Sequence, residues 1–310
     1  MTVDEKRPAE CEPAPAGTAT RTARAAAMQT MGLPLANAGN TEPAETDPIA
    51  ADHLGETDLH IALADAWIHT LYQPIVRMAD RRPIGVEVLA RLDHPSRGML
   101  QPGLFVPSME DAGLSWSLTQ AVMRRAFADW GSGQFGQMDL TLALNLPLDV
   151  LLTPDALTRL DAARNDAGIP AERVVIELTE SRPLACLHRL GEAARRLRAI
   201  GYGLAIDDVG PAIRDHSALL GLSFTSMKLD KDLVQRAAAD PAATRFLTSA
   251  VAAAHEAGLS VTAEGVEDAA TWAYMELLGV EHVQGFLVSR PLAAEEVAAW
   301  RQAWCGGQCC

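Results

Sequence analysis

The chain has no basic run, no long apolar run and few aromatic residues, and each shortage removes a class of function. With 40 acidic against 26 basic residues the formal net charge is −14. An acidic chain without clustered Lys and Arg argues against a polynucleotide partner, whose phosphates need such clusters. No stretch approaches the ~18 uncharged apolar residues of a membrane span. The opening MTVDEKRPAE lacks a basic region followed by an apolar one, so export is not signalled. Glycine-rich phosphate loops are missing too, since GYGLAI at 201–206 does not complete G-x-G-x-x-G. Five cysteines, odd in number and irregularly spaced, fit a reduced cytoplasmic protein. Three of them, Cys305, Cys309 and Cys310, crowd the end without a second ligand pair at zinc-finger spacing.

What is present is a regular alternation. Residues 1–57, rich in Ala, Pro, Thr and Glu, carry no apolar periodicity and are expected to be a disordered extension. From residue 58 the pattern changes. LHIALADAWIHTL suggests an amphipathic helix leading into a strand, LYQPIV, whose proline suits an edge or a strand end. Further strands are expected at 84–90, 140–146, 173–178, up to Asp207, 224–229, 259–263 and in HVQGFLV. Helices are expected between them, near 103–112, 116–129, 155–167, 183–200, 242–257 and 268–278, with Gly168, Gly201 and Gly258 as stop signals. EEVAAWRQAW closes the chain. Strand and helix in alternation imply a parallel sheet, and eight strands in a domain over 58–303 suit an α/β fold of the TIM-type (β/α)8 barrel. Residues 304–310 form a Cys-rich flexible tail in this division.

Polar residues recur at or just past the ends of these apolar runs: Glu87, Asn145, Glu177, Asp207, Asp208, Lys228 and Glu264. Active sites of parallel barrels collect at those ends. Singly, each has an ordinary explanation as a turn former, helix cap, exposed strand residue or snorkelling lysine. Together on six strand ends they point to one pocket. With Glu267 included, six acids and one lysine leave a formal charge of −5, which two divalent cations would bring to −1. Carboxylates with an amide oxygen are the hard ligands preferred by Mg2+ or Mn2+, and paired metals suit displacement at phosphorus. A barrel glycosidase would also use strand-end carboxylates. It needs aromatic sugar platforms, and Trp67, Trp116, Trp130, Trp272, Trp300 and Trp304 all fall in expected helices or their flanks.

At these residues the chain resembles the EAL domain, the bacterial cyclic di-GMP phosphodiesterase family, from about Leu71 to Leu292. YQPIV stands at Tyr72–Val76, and the E-A-L-x-R signature appears as Glu87-Val88-Leu89-Ala90-Arg91. FVPSMEDAGL, LNLP, VIELTES, IDDVG, MKLDKDLV, AEGVE and VQGFLVSRPL follow in family order. The resemblance implies a metal held by Glu87, Asn145, Glu177 and Asp207, and a second held by Asp207, Asp208 and Glu264. It implies that Lys228 contacts the attacking water and that Glu264 serves as base. Gln73, Leu89 and Arg91 would contact the dinucleotide, Glu267 and Gln284 would support that shell, and Glu180 would brace the loop after the aspartates. The implied reaction opens cyclic di-GMP to linear pGpG in a cytoplasmic homodimer with two Mg2+ or Mn2+ per site.

One segment departs from the family. D-D-F-G-T-G-Y-S-S is typical after the paired aspartates, whereas here Asp207-Asp208 continue as Val209-Gly210-Pro211-Ala212-Ile213-Arg214-Asp215. The added proline and the lost glycine change the accessible backbone angles. The alternative reading is therefore a catalytically silent domain that binds cyclic di-GMP as a receptor, or a regulator acting through protein contacts with a signalling partner.

Overall fold

Strand β1 (Ile68–Arg77) and strand β2 (Pro83–His94) are joined by five residues, too few for the dozen or more that a parallel crossover needs. The pair is therefore an antiparallel hairpin, in register from Ile68 opposite Leu92 to Ile75 opposite Gly85, with a one-residue shift before Val76 opposite Pro83. This corrects the expectation of an all-parallel sheet. The turn is held by Asp80, which accepts from Arg77 Nε at 2.9 Å and from the Arg82 backbone N–H at 3.2 Å.

The computed structural model describes residues 54–64, 66–133, 135, 138–179, 187–211 and 216–306. Residues 1–53 of the extension expected to be disordered over 1–57, Glu180 with its bracing role, residues 212–215 and Cys309 and Cys310 lie outside the described residues. No described helix is long and apolar enough to cross a membrane.

After β2 come β3 (Gly98–Leu100), α2 (Val106–Asp111) and α3 (Ser115–Gly131). Strand β4 (Thr141–Pro147) leads through α4 (Leu148–Leu151) and α5 (Ala156–Asp166) to β5 (Val174–Thr179). Helix α6 (Leu187–Ile200), β6 (Gly203–Val209), α7 (His216–Leu220) and β7 (Ser226–Leu229) follow. The chain continues through α8 (Lys231–Arg236), α9 (Pro241–Glu256), β8 (Ser260–Ala263), α10 (Ala269–Leu277), β9 (His282–Val283) and α11 (Ala294–Trp304). An aspartate opens each of α8, α9 and α10. Asp230, Asp240 and Asp268 accept the N–H of Leu233, Ala242 and Thr271, which satisfies otherwise orphaned donors of the first turn.

Strands β2 and β4 to β9 run parallel in the order β2-β4-β5-β6-β7-β8-β9, and β1 closes the ring by pairing antiparallel with both β9 and β2. The result is an eight-stranded closed α/β barrel with helices outside and β3 appended to β2. Leu142, Leu144, Val174, Ile176, Leu204, Ile206, Val261 and Val283 are all buried in the wall. A second apolar cluster lies where the hairpin extends beyond it. There α1 (Glu56–Ala64) packs Leu59 and Ala62 with Leu54, Ile68, Leu92, Phe105 and Met109, so the ordered chain begins ahead of residue 58.

Three boundaries differ from expectation. The residues IHTL belong to β1, not to the preceding helix, because Ile68, Thr70 and Tyr72 alternate buried positions at a period of two against β2. Pro74 lies inside the strand. It is tolerated because β9 meets β1 only at Val76 and Arg77, with Tyr72 bridging Leu292, so that stretch has no full ladder on its second side. The last expected strand shortens to His282–Val283.

Candidate active site

The site is organised by an irregularity in β6. On a regular strand two successive side chains point to opposite faces, so Asp207 and Asp208 would be divided between pocket and wall. Instead Ile206 pairs with Met227 and Val209 with Leu229, which leaves two residues on β6 opposite the single residue Lys228 on β7. Asp208 takes a left-handed backbone, φ 51°. This bulge brings one oxygen each from Asp207, Asp208 and Glu264 within 4.8 Å of one another.

Lys228 is the centre of the cluster. Its Nζ lies 3.2 Å from Glu87 Oε2, 3.0 Å from Glu177 Oε2, 3.0 Å from Asp207 Oδ1 and 2.6 Å from Glu264 Oε1. All five side chains are buried or nearly so; the lysine is 3% exposed and Glu264 17%. An ammonium has three protons to donate, and here it faces four carboxylates. The shortfall is visible: Asp207 Oδ1 and Glu264 Oε1 are buried beside Nζ without an aligned hydrogen bond, and Gln284 Oε1 is also buried without one.

Neutral amides hold the acids in place. Gln284, just past β9, donates one amide hydrogen to Glu87 Oε2 at 2.7 Å and the other to Gln73 Oε1 at 3.0 Å. Asn145 donates to Glu87 Oε1 at 3.0 Å, and Gln73 donates onward to the Ser289 carbonyl at 3.3 Å. Gln284 thus joins the first strand to the last.

The electrostatics follow from burial with too few cations. Burial raises Glu264 to about 8, against the attraction of Lys228. Burial and the neighbouring Asp207 push Asp208 up to about 6. Glu177 and Asp207 are raised by burial, Glu177 strongly. Burial also opposes ionisation of Glu87, but the charge of Lys228 and the bonds from Gln284 and Asn145 hold it below the ordinary carboxylate range. Lys228 loses by burial and gains more from the four acids, so it stays charged. Five carboxylates and one ammonium leave −4, which two divalent cations would cancel. Unsatisfied oxygens, hard donors and that charge all fit such ions.

Not every expected residue joins the ring. Glu267 is 45% exposed and faces α8, accepting from Gln235 Nε2 at 2.9 Å and lying 3.4 Å from Lys231 Nζ. Leu89 and Arg91 follow Glu87 on the same face of β2. Leu89 is half-buried, whereas Arg91 is buried and donates to the Ala90 carbonyl at 2.9 Å. Sequence reasoning passed over Phe286. Its ring, 36% exposed, carries the Arg290 guanidinium at 4.4 Å and Lys231 Nζ at 5.5 Å. An aromatic two positions after Gln284 and four before Arg290 was the signal available.

A family model described as the EAL domain matches residues 56–291. The chain belongs to the EAL-domain family. An uncharacterised signalling protein of Caulobacter vibrioides is 31% identical over 246 residues, 79% of this chain and 30% of that protein. A cyclic di-GMP phosphodiesterase of Pseudomonas aeruginosa is 29% identical over 232 residues, 75% of this chain and 40% of its own length. This EAL chain therefore spans less than half of either relative. Among solved structures, the PaMucR phosphodiesterase in complex with c-di-GMP superposes with a TM-score of 0.73 at 28% identity, covering 78% of this chain and 98% of that one.

Proposed function

We propose that this EAL domain is a metal-dependent phosphodiesterase that hydrolyses cyclic di-GMP to linear pGpG, working in the cytoplasm as a homodimer. The observation that carries the reading is the ring of four carboxylates around Lys228, with more acceptors than the lysine has protons and with Asp208 beside it. Such a ring needs further cations, and a phosphodiester brings charge that cations must offset.

Glu87, Asn145, Glu177 and Asp207 would hold one Mg2+ or Mn2+, and Asp207, Asp208 and Glu264 the other. The chemistry these ions supply is neutralisation of phosphate charge and acidification of water. The remaining roles belong to the chain. Lys228 orients the attacking water, and Glu264, as the ionised carboxylate, takes its proton. Gln73, Leu89 and Arg91 hold the dinucleotide at the mouth, with Arg91 at a phosphate. Gln284 fixes Glu87 and Gln73 together, and Glu267 supports the rim through Lys231 and Gln235.

The test is incubation of purified protein with cyclic di-GMP and Mg2+ or Mn2+, with products resolved by chromatography and Glu87→Ala as control. Linear pGpG from the wild type alone supports the enzyme. Nucleotide binding without turnover would instead make the domain a receptor, the reading favoured by the departure from family pattern at Val209–Pro211.

A further inference from the structure

On the outside of the barrel, a groove of about 730 Å3 runs between α6 and the segment from Leu151 into α5. Its α6 wall carries Arg189, Arg195 and Arg196, all exposed. Arg189 donates to the Leu152 carbonyl at 3.0 Å and Arg195 to the Gly191 carbonyl at 3.2 Å. No carboxylate among the described residues is ion-paired with any of the three. Glu192, between them in sequence, lies 3.9 Å from His188 instead. In a chain with 40 acids and 26 basic residues, this lining reverses the balance, with three arginines against two carboxylates, Glu192 and Asp155. Helix α6 as a whole has four arginines against one glutamate.

The rest of the lining sets the shape of the occupant. Leu151, Leu152, Leu157, Pro154 and Ala193 give it an apolar floor. A lone phosphate would leave that floor wet. The lining contains no aromatic residue, so it offers no platform for stacked bases. A helix with apolar residues on one side and carboxylates along its margins fits both features, in the helix-in-groove mode of recognition.

We propose that the groove between α5 and α6 docks an acidic amphipathic peptide segment of a partner protein, with Arg189, Arg195 and Arg196 binding its carboxylates. The groove is separate from the residues assigned to hydrolysis, so the proposal stands or falls independently of the phosphodiesterase reading.

The experiment selects random 16-residue peptides by display on the full chain and measures the winners by fluorescence anisotropy. Expected are peptides with Asp or Glu beside Leu, Ile or Phe at helical spacing. Their affinity should fall at least tenfold on the combined change Arg189→Glu, Arg195→Glu, Arg196→Glu. It should fall equally on Ala193→Trp, which fills the groove without altering charge, while the melting temperature of both variants stays at the wild-type value. Failure to enrich acidic peptides, or undiminished binding by both variants, overturns the proposal. Arginine-dependent binding to phosphatidylglycerol vesicles in place of peptide overturns it too, as does a wild-type dimer that the charge reversal disperses.

Discussion

Lys228 Nζ stands 2.6 Å from Glu264 Oε1, yet that oxygen accepts no aligned hydrogen bond. The pair is close because the pocket contains one cation for five acids, while the aligned hydrogen bonds of Nζ go to Glu87 and Glu177. The lysine acts as a stopgap counter-ion as well as the partner of the attacking water in the proposed reaction.

Replacing it exposes both roles. Lys228→Met should abolish measurable hydrolysis, and in metal-free buffer at pH 8 it should lower unfolding stability by about 3 kcal/mol, the scale for removing one partner of a buried ion pair. Added Mn2+ should restore most of the stability and none of the turnover. Urea unfolding with and without Mn2+ measures this; a variant as stable as wild type in chelator would contradict it.

The raised carboxyls make stability depend on pH. A carboxyl whose folded value lies above its unfolded one favours the fold while protonated, and that advantage disappears as pH rises through the folded value. Glu264 at about 8 and Asp208 at about 6 therefore predict that the metal-free protein melts lower at pH 9 than at pH 5.5. Metal binding should release protons and tighten as pH rises. Melting curves in chelator, with calorimetry in buffers of different ionisation enthalpy, check both statements. A metal-free melting temperature that climbs across this range would sink them.

Gly265 holds Glu264 in place by being small. Its φ is +63°, and an added Cβ would lie 2.2 Å from Lys231 Cγ. Gly265→Ala should cost about 1–3 kcal/mol and weaken Mn2+ binding roughly tenfold by displacing Glu264. Pairing it with Lys231→Ala should recover the steric part and leave the backbone strain. Full recovery in the double variant would show that the left-handed conformation carries no cost.

Gln284→Leu removes both amide donors while conserving approximate size. Glu87 then loses its 2.7 Å bond and Gln73 its anchor. Hydrolysis should fall about 10- to 100-fold, the usual effect of losing a group that orients a ligand, with pH dependence moved toward the alkaline side. Unchanged kinetics would mean that Asn145 and Lys228 alone position Glu87.

Arg164 supplies the contrasting case. Buried between α5 and the barrel, it donates to Asp161, Tyr202, Asn165 and the Ile169 carbonyl. Arg164→Met should lower stability by about 2–4 kcal/mol and leave KM for cyclic di-GMP unchanged at low temperature. A shifted KM would show that the wall transmits strain to the mouth.

Much of this was legible in the sequence, because strand ends are marked by polar residues that break apolar runs. Glu87, Asn145, Glu177, Asp207, Lys228 and Glu264 were found that way, and they meet. The antiparallel β1 was equally available from the five-residue link after Arg77 but was overridden by the alternating pattern downstream. The bulge was not available: two adjacent aspartates look like a turn, and only pairing with β7 shows that both serve one pocket. Glu267 shows the limit of that reading. It follows Glu264 in one motif, yet Gly265 redirects the backbone and leaves it facing Lys231 at the rim. Spacing along a chain says little about direction once a left-handed residue intervenes.

The bond from Gln284 to Glu87 spans 197 positions, whereas Gln73 meets Glu87 across a short hairpin. One side of the ring can form from local contacts soon after synthesis of that hairpin. The other waits for nearly the whole chain, since β9 must leave the ribosome and close against β1. A nascent or truncated chain therefore carries its acids without the residue that sets Glu87. On the proposed reading, competence for hydrolysis arrives in a single late event, when β9 closes the ring against β1.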